Sequence, residues 1–201
     1  MREAEIFVLA DQTLQKVVEQ ISDDQWDMQM PPSFARRGQD SVTLREIINY
    51  HASDDAWVPD MLAGKTMDAV GKDKFSGDLL GDDPKTNFAK YVQAACDAAK
   101  QVSETDYDKT THLSFGDYTV QQYFWQINSF RGLRAHDIAV VIGGDSTLPD
   151  DLVQGLWDEL SPHAEEWRKI GVFGPKVDVP ESARLQDKLL GLTGRQPDHT
   201  Y

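Results

Sequence analysis

The sequence has little cysteine, few basic residues and no long apolar stretch. Cys96 is the single cysteine among 201 residues, which excludes an intramolecular disulfide and any zinc motif built on cysteines. Lys and Arg number 20 against 34 Asp and Glu, so the formal net charge is −14. An excess of carboxylates repels phosphate backbones and anionic lipids. We therefore expect no nucleic-acid partner and no membrane partner.

The beginning of the chain and its hydropathy bear on where the protein works. No window holds the roughly 18 consecutive apolar residues that a membrane-spanning helix requires. The first ten residues carry Glu3 and Glu5 and lack the basic start and apolar run of a secretory signal. Together with the single cysteine, these features predict a cytoplasmic protein. The length predicts a single domain over 1–201, with 145–201 as a C-terminal extension packed on it.

Four long segments place apolar residues at spacings of three and four, which is the pattern of amphipathic helices. They run from about 3 to 22, from Thr43 to just before Gly64, from Pro84 through Ala99, and from about 120 to 142. Shorter helical patterns follow Pro149 and surround 185–192. Residues 110–116 are predicted to be extended or looped, and no segment shows convincing strand alternation. We therefore predict an all-α protein, an up-and-down four-helix bundle with additional C-terminal helices.

Two histidines interrupt the apolar stripes of the second and fourth predicted helices. His51 shares a helical face with Leu44, Ile48 and Asp55, and His136 shares one with Leu133. Burying such groups costs free energy unless each finds a partner. Inward imidazoles from two facing helices can bind a divalent metal. The alternative is that each histidine donates a hydrogen bond within a polar network of the core.

A metal site would need a third ligand, and an anionic substrate would need a cation. Asp55 lies one turn after His51 and is the first choice for the third ligand; Asp54 and Asp137 are alternatives. Arg131 and Arg134 lie in the otherwise apolar fourth helix. They could hold an anionic substrate beside the metal or simply pair with carboxylates.

Three stretches resemble one known family, and together they extend over nearly the whole chain. They are the His51 helix from Leu44 to Trp57, the segment R-A-H-D-I-A within Phe130 to Gly143, and L-L-G-L-T-G-R-Q-P from Leu189 to Pro197. The chain resembles the DinB-like superfamily, in its actinobacterial branch related to the N-terminal domain of mycothiol-dependent maleylpyruvate isomerase. The resemblance implies a four-helix bundle that holds a divalent metal, commonly zinc or nickel.

The resemblance also implies which residues hold the metal and what the metal does. His51 and His136 match two ligand positions, whereas Gly132 stands where the family has a glutamate or histidine. Members of the family are thiol-dependent transferases or isomerases in which the metal activates mycothiol or a similar thiol. We therefore expect a divalent-metal-binding protein in which the metal activates a thiol or water for a small-molecule substrate. The alternative is a non-catalytic helical bundle, a ligand-binding or oligomeric interaction protein with a vestigial metal site. Under either hypothesis the sequence is compatible with a homodimer formed through an apolar face of the bundle.

Overall fold

The structure is a computed structural model that describes residues 1–35 and 39–197, and most of these residues are helical. Three single turns of 3-10 helix, Asp23–Gln25, Pro32–Phe34 and Glu104–Asp106, lie in the connections. The α-helices in chain order are α1 (Glu3–Glu19), α2 (Leu44–Leu62), α3 (Met67–Val70), α4 (Pro84–Lys100), α5 (Val120–Ile142), α6 (Asp150–Leu160), α7 (Ala164–Lys169) and α8 (Leu185–Leu192).

The long helices begin and end at the capping residues that the sequence indicates. The Thr43 hydroxyl accepts a hydrogen bond from the backbone N–H of Glu46 at 3.2 Å, and the Glu46 carboxylate accepts one from the Thr43 N–H at 2.7 Å. Thr119 caps α5 in the same way. Gly143, with φ +70°, ends α5 in the left-handed conformation that glycine adopts without strain. The predicted ends of α2, α4 and α5 are therefore confirmed to within a residue or two.

Helix α1 is at the centre of the packing. It lies along α5 on one side and α4 on the other, and α4 packs in turn along α2. Apolar residues of these four helices, including Phe7, Leu14, Ile48, Phe88 and Leu133, are almost fully buried. Because α2 and α5 make few close backbone contacts, their facing sides are left apart. Side chains and the cleft described below occupy the space between them.

The C-terminal part packs on this core through α6. Helix α6 contacts α8, α5 and α1, and its Leu152 and Leu156 are fully buried. A Cβ atom at Gly132 of α5 would lie 2.7 Å from Leu156 Cδ1, closer than real carbon atoms approach. Gly132 is therefore the residue that lets α6 sit closely on α5.

The described residues depart from an all-helical chain at one hairpin. Strands β1 (Thr110–Leu113) and β2 (Gly116–Thr119) are antiparallel, with Thr110 opposite Thr119 and Leu113 opposite Gly116. Each strand has four residues, which is too short to show a clear alternation in sequence. The segment that we predicted to be extended or looped thus forms a hairpin that leads directly into α5. None of the described helices has the length and apolar character needed to cross a membrane.

Candidate functional site

A cleft of about 990 Å³ opens between α2 and α5. Helix α2 supplies Tyr50 and Trp57 to its wall, and α5 supplies Gln126, Phe130 and Arg134. The hairpin closes one part of the cleft, and residues 172–174 and 193–196 close another. The lining is rich in aromatic rings: Phe34, Tyr50, Trp57, Phe115, Tyr123, Phe130, Trp167 and Phe173.

Large apolar side chains remain exposed at the rim of the cleft. Phe115, at the tip of the hairpin, is 66 % exposed, and Val172 is 54 % exposed. Trp167 and Phe173 stack with their ring centroids 5.5 Å apart. Exposed apolar groups around a concave, aromatic surface are typical of ligand-binding sites.

A fully buried ion pair lies at the inner side of the cleft. Asp55 Oδ1 accepts hydrogen bonds from Arg131 Nε at 2.9 Å and from Arg131 Nη2 at 2.5 Å. Asp11 Oδ1 lies 3.3 Å from the same Nε, and Cys96 Sγ lies 3.8 Å from Asp11 Oδ2. These four residues come from α2, α5, α1 and α4 in that order. The polar cluster therefore ties the four long helices together.

Burial decides the protonation of this cluster. Burial raises the pKa of Asp11 well above its usual range, and the neighbouring Asp55 carboxylate raises it further. Burial also raises the pKa of Asp55, but the Arg131 guanidinium opposes that rise. Asp55 therefore stays the ionised partner of Arg131, and Asp11 holds the proton. Burial also raises the pKa of the Cys96 thiol to about 12, which makes it an unreactive thiol rather than a nucleophile.

Both predicted histidines point inward, as their spacing indicates. His51 is fully buried, and its ring stacks on Phe130 of α5 with the centroids 4.8 Å apart. His136 is 6 % exposed, and its Nδ1 lies 3.0 Å from the backbone oxygen of Ser146. Because a carbonyl only accepts, Nδ1 carries the proton in that bond. Gln186 of α8 donates to the same oxygen. His136 thus joins α5 to the C-terminal part of the chain.

The other predicted residues are largely engaged in ion pairs. Asp55 and Arg131 form an ion pair, which is the kind of pairing with a carboxylate that the sequence also allowed for Arg131. Asp137 accepts two hydrogen bonds from Arg195, each 2.8 Å long. Arg134 is different because its guanidinium lies in the cleft, 4.5 Å from the ring centroid of Phe34. Of the two arginines predicted to bind substrate, Arg134 is the one whose guanidinium lies in the cleft.

The predicted metal ligands do not form a set that fits a resident ion. Among residues 1–35 and 39–197, no group of three or more His, Cys, Asp or Glu side chains could hold a metal. Asp55 Oδ1 is occupied by Arg131, and Gly132 faces Leu156 of α6. His51 stacks on Phe130 of α5, whereas His136 is hydrogen-bonded to the backbone oxygen of Ser146. A zinc site normally takes at least three protein ligands, so these side chains, as arranged among the described residues, do not fit a resident zinc ion.

Sequence reasoning missed Asp11, although the signal was present. Asp11 shares a helical face with Phe7, Leu14 and Val18, as Asp55 does with its apolar neighbours. Arg195, the partner of Asp137, had no comparable signal because it follows the last helix.

Comparisons of the chain with protein-family models, with curated proteins and with solved structures give no match.

Proposed function

We propose that the protein is a DinB-like four-helix bundle that binds a small organic molecule in the cleft between α2 and α5. The observation that carries this proposal is the cleft itself, with about 990 Å³ of space and eight aromatic residues in its lining. Small-molecule sites enclose roughly 300–1,000 Å³ and combine apolar walls with a few polar groups. The contacts of α1 with α4 and α5, and of α4 with α2, support the bundle.

The lining indicates the general character of the ligand. Tyr50, Trp57 and Phe130 offer ring faces and edges that suit a flat apolar body. Gln126 and Arg134 add hydrogen-bond donors that suit an oxygen-bearing edge. A molecule with an aromatic or similarly flat part and an anionic or carbonyl group matches both features.

The test is to fill the cleft and measure binding. The probe is 1-anilinonaphthalene-8-sulfonate, which has an aromatic body and one negative charge. Gln126→Trp adds bulk inside the cleft, whereas Gln93→Trp makes the same change on the exposed face of α4. We expect calorimetry to show saturable binding to the unaltered protein and to Gln93→Trp, and at least tenfold weaker binding to Gln126→Trp. Equal binding by the two variants would place the ligand elsewhere.

A metal-dependent thiol transferase or isomerase is the second candidate. What favours it is that His51 and His136 are both buried, with exposed fractions of 0 % and 6 %. Elemental analysis of protein purified without added metal or chelator tests it, alongside His51→Ala. Near one zinc or nickel per chain, lost in the variant, would support this candidate. If neither protein holds metal, even after reconstitution, this second candidate is ruled out and small-molecule binding in the cleft is the remaining proposal.

A further inference from the structure

The cleft between α2 and α5 is long, and its two ends can be told apart. Its lining follows α5 from Tyr123 to Asp137, which is roughly 21 Å at about 1.5 Å per residue. Tyr50 of α2 lies beside Phe130, with the ring centroids 5.9 Å apart, and Met61 of α2 packs in the same apolar cluster as Tyr123. The two helices therefore run in opposite directions along the cleft, and each end is formed by both.

The end at the start of α5 is apolar. Side chains from α2, α3, β1 and α5 line it and pack in one apolar cluster: Met61, Met67, Leu113 and Ile127. Phe115, at the tip of the hairpin, also lines the cleft and is 66 % exposed. Methionine side chains are flexible and adapt to irregular apolar shapes. An apolar group in this end would remove exposed apolar surface from water, so this end suits an alkyl tail.

The end towards the last turns of α5 is positively charged. Asp137 and Arg195 form a bidentate pair there, so their charges cancel. The Arg134 guanidinium carbon lies 4.5 Å from the ring centroid of Phe34 and 5.3 Å from that of Phe130. These three charged residues of the described lining therefore sum to one positive charge, in a chain whose net charge is −14. A guanidinium is a favourable partner for a carboxylate, because its N–H groups match the two oxygens.

The middle of the cleft is aromatic and carries a carboxylate. Trp57 of α2 lines it, and its ring meets Phe75 edge-on with the centroids 5.0 Å apart, which holds the indole in place. Asp54 lies between Tyr50 and Trp57 on the same helix and also lines the cleft. Its negative charge disfavours an anionic group at this level. The charges of the lining thus direct an anion to the Arg134 end and leave a flat ring for the middle.

We propose that the ligand of the cleft is an amphipathic acid, with its carboxylate at Arg134, a flat ring beside Trp57 and an apolar tail at Met67. This inference rests on the proposed function and adds the class of ligand and its orientation. The levels of Arg134 and Tyr123 are roughly 16 Å apart along α5. With bonds of about 1.5 Å, a benzoate that carries a six-carbon tail is roughly 12 Å long. Its carboxylate would lie roughly 3 Å from the guanidinium, so the tail reaches the apolar end.

The experiment measures by calorimetry the binding of 4-ethylbenzoate, 4-hexylbenzoate and the uncharged 4-hexylbenzamide to the full-length protein. Each additional CH₂ group contributes up to about fourfold in affinity when it is buried. With four more CH₂ groups, 4-hexylbenzoate should bind at least about tenfold more tightly than 4-ethylbenzoate. It should also bind at least about fivefold more tightly than the amide, because only the carboxylate forms a charge-assisted bond with a guanidinium.

Two variants test the orientation, each with a matched control. Arg134→Gln should bind 4-hexylbenzoate at least about fivefold more weakly and leave the affinity for the amide nearly unchanged. Arg184→Gln makes the same change at a side chain that is 72 % exposed. Met67→Gln should reduce the advantage of the hexyl over the ethyl compound at least about threefold. Met28→Gln makes the same change at a partly buried methionine of the other apolar cluster. Both controls should bind as the unaltered protein does.

Several results would overturn this inference. Equal affinities for the ethyl and hexyl compounds would show that the apolar end takes no tail. Equal affinities for 4-hexylbenzoate and its amide would show that the charged end does not select an acid. These two comparisons use the unaltered protein and so hold whether or not a variant folds. If the benzoates do not bind but 1-anilinonaphthalene-8-sulfonate binds, and binds more weakly to Gln126→Trp, only this inference fails. If the sulfonate does not bind either, the proposed function fails with it.

Discussion

Asp55→Asn and Asp11→Asn make the same chemical change on two fully buried carboxyl groups. We expect the two variants to lose very different amounts of the free energy of unfolding. Asp55 accepts two hydrogen bonds from Arg131, at 2.9 and 2.5 Å, and is the ionised partner of that guanidinium. Asp11 Oδ1 lies 3.3 Å from Arg131 Nε and forms no hydrogen bond there. Burial raises the pKa of Asp11 well above its usual range, so its neutral carboxyl already resembles an asparagine amide.

The expected magnitude follows from the burial of Arg131, whose side chain is 0 % exposed. Removing one partner of a buried ion pair leaves an uncompensated charge and costs roughly 3–5 kcal/mol. We expect that loss for Asp55→Asn and about 1 kcal/mol or less for Asp11→Asn. For a chain of this size, about 1 kcal/mol corresponds to a change of roughly 2–4 °C in melting temperature. Asp55→Asn should therefore melt roughly 6–20 °C lower.

The assay is urea unfolding followed by circular dichroism at neutral pH, with all three proteins fitted to a common slope. A loss for Asp11→Asn as large as that for Asp55→Asn would show that Asp11 is ionised and shares the pairing with Arg131. A small loss for both variants would show that either carboxylate alone can ionise and pair with Arg131, since Asp11 Oδ1 lies 3.3 Å from Arg131 Nε. Either result would refute the assignment of the proton to Asp11 and of the charge to Asp55.

Two further predictions concern α6. Gly132→Ala should destabilise the protein by about 1 kcal/mol, measured by urea unfolding. The added Cβ would lie 2.7 Å from Leu156 Cδ1, and this overpacking outweighs the better helix propensity of alanine. A more stable variant would contradict the close contact of α6 with α5. Glu159 has a native pKa raised to about 8 against about 4.3 when unfolded, so the native state binds one more proton between these values. Stability should therefore fall by about 1.4 kcal/mol per pH unit as the pH rises towards 8, and Glu159→Gln should lose that slope.

The positions of the helices could be predicted because their signals are local. The capping pair Thr43 and Glu46 and the terminal Gly143 act within one turn of the chain. The inward orientation of His51 and His136 follows from spacing alone, since a residue on an apolar helical face is buried whatever covers it. The hairpin at 110–119 lacked such a signal, because two strands of four residues depend on each other rather than on a repeating pattern.

The partners of the buried polar residues could not be predicted in the same way. Asp55 was expected to bind a metal, and the structure pairs it with Arg131. A carboxylate on an apolar face suits a metal or a guanidinium equally well, so only the distances between helices decide. The cleft could not be predicted from the sequence for the same reason. It exists because α2 and α5 are held apart across α1 and α4, and no local pattern in either helix encodes that separation.

Gly132 shows how one residue supports two different interpretations. From the sequence it marks a ligand that is missing in comparison with the family that the chain resembles. In the structure, the Cβ direction at 132 points to Leu156 of α6, with Ala10 Cβ of α1 and Leu152 Cδ1 of α6 each 3.7 Å away. The side chain of a glutamate at 132 would start inside the packed contact between α5 and α6. His51, in contrast, contacts α5 at a different residue, Phe130. The close packing of α6 is therefore sufficient reason for glycine at this position, and restoring a ligand atom there would first have to separate α5 from α6.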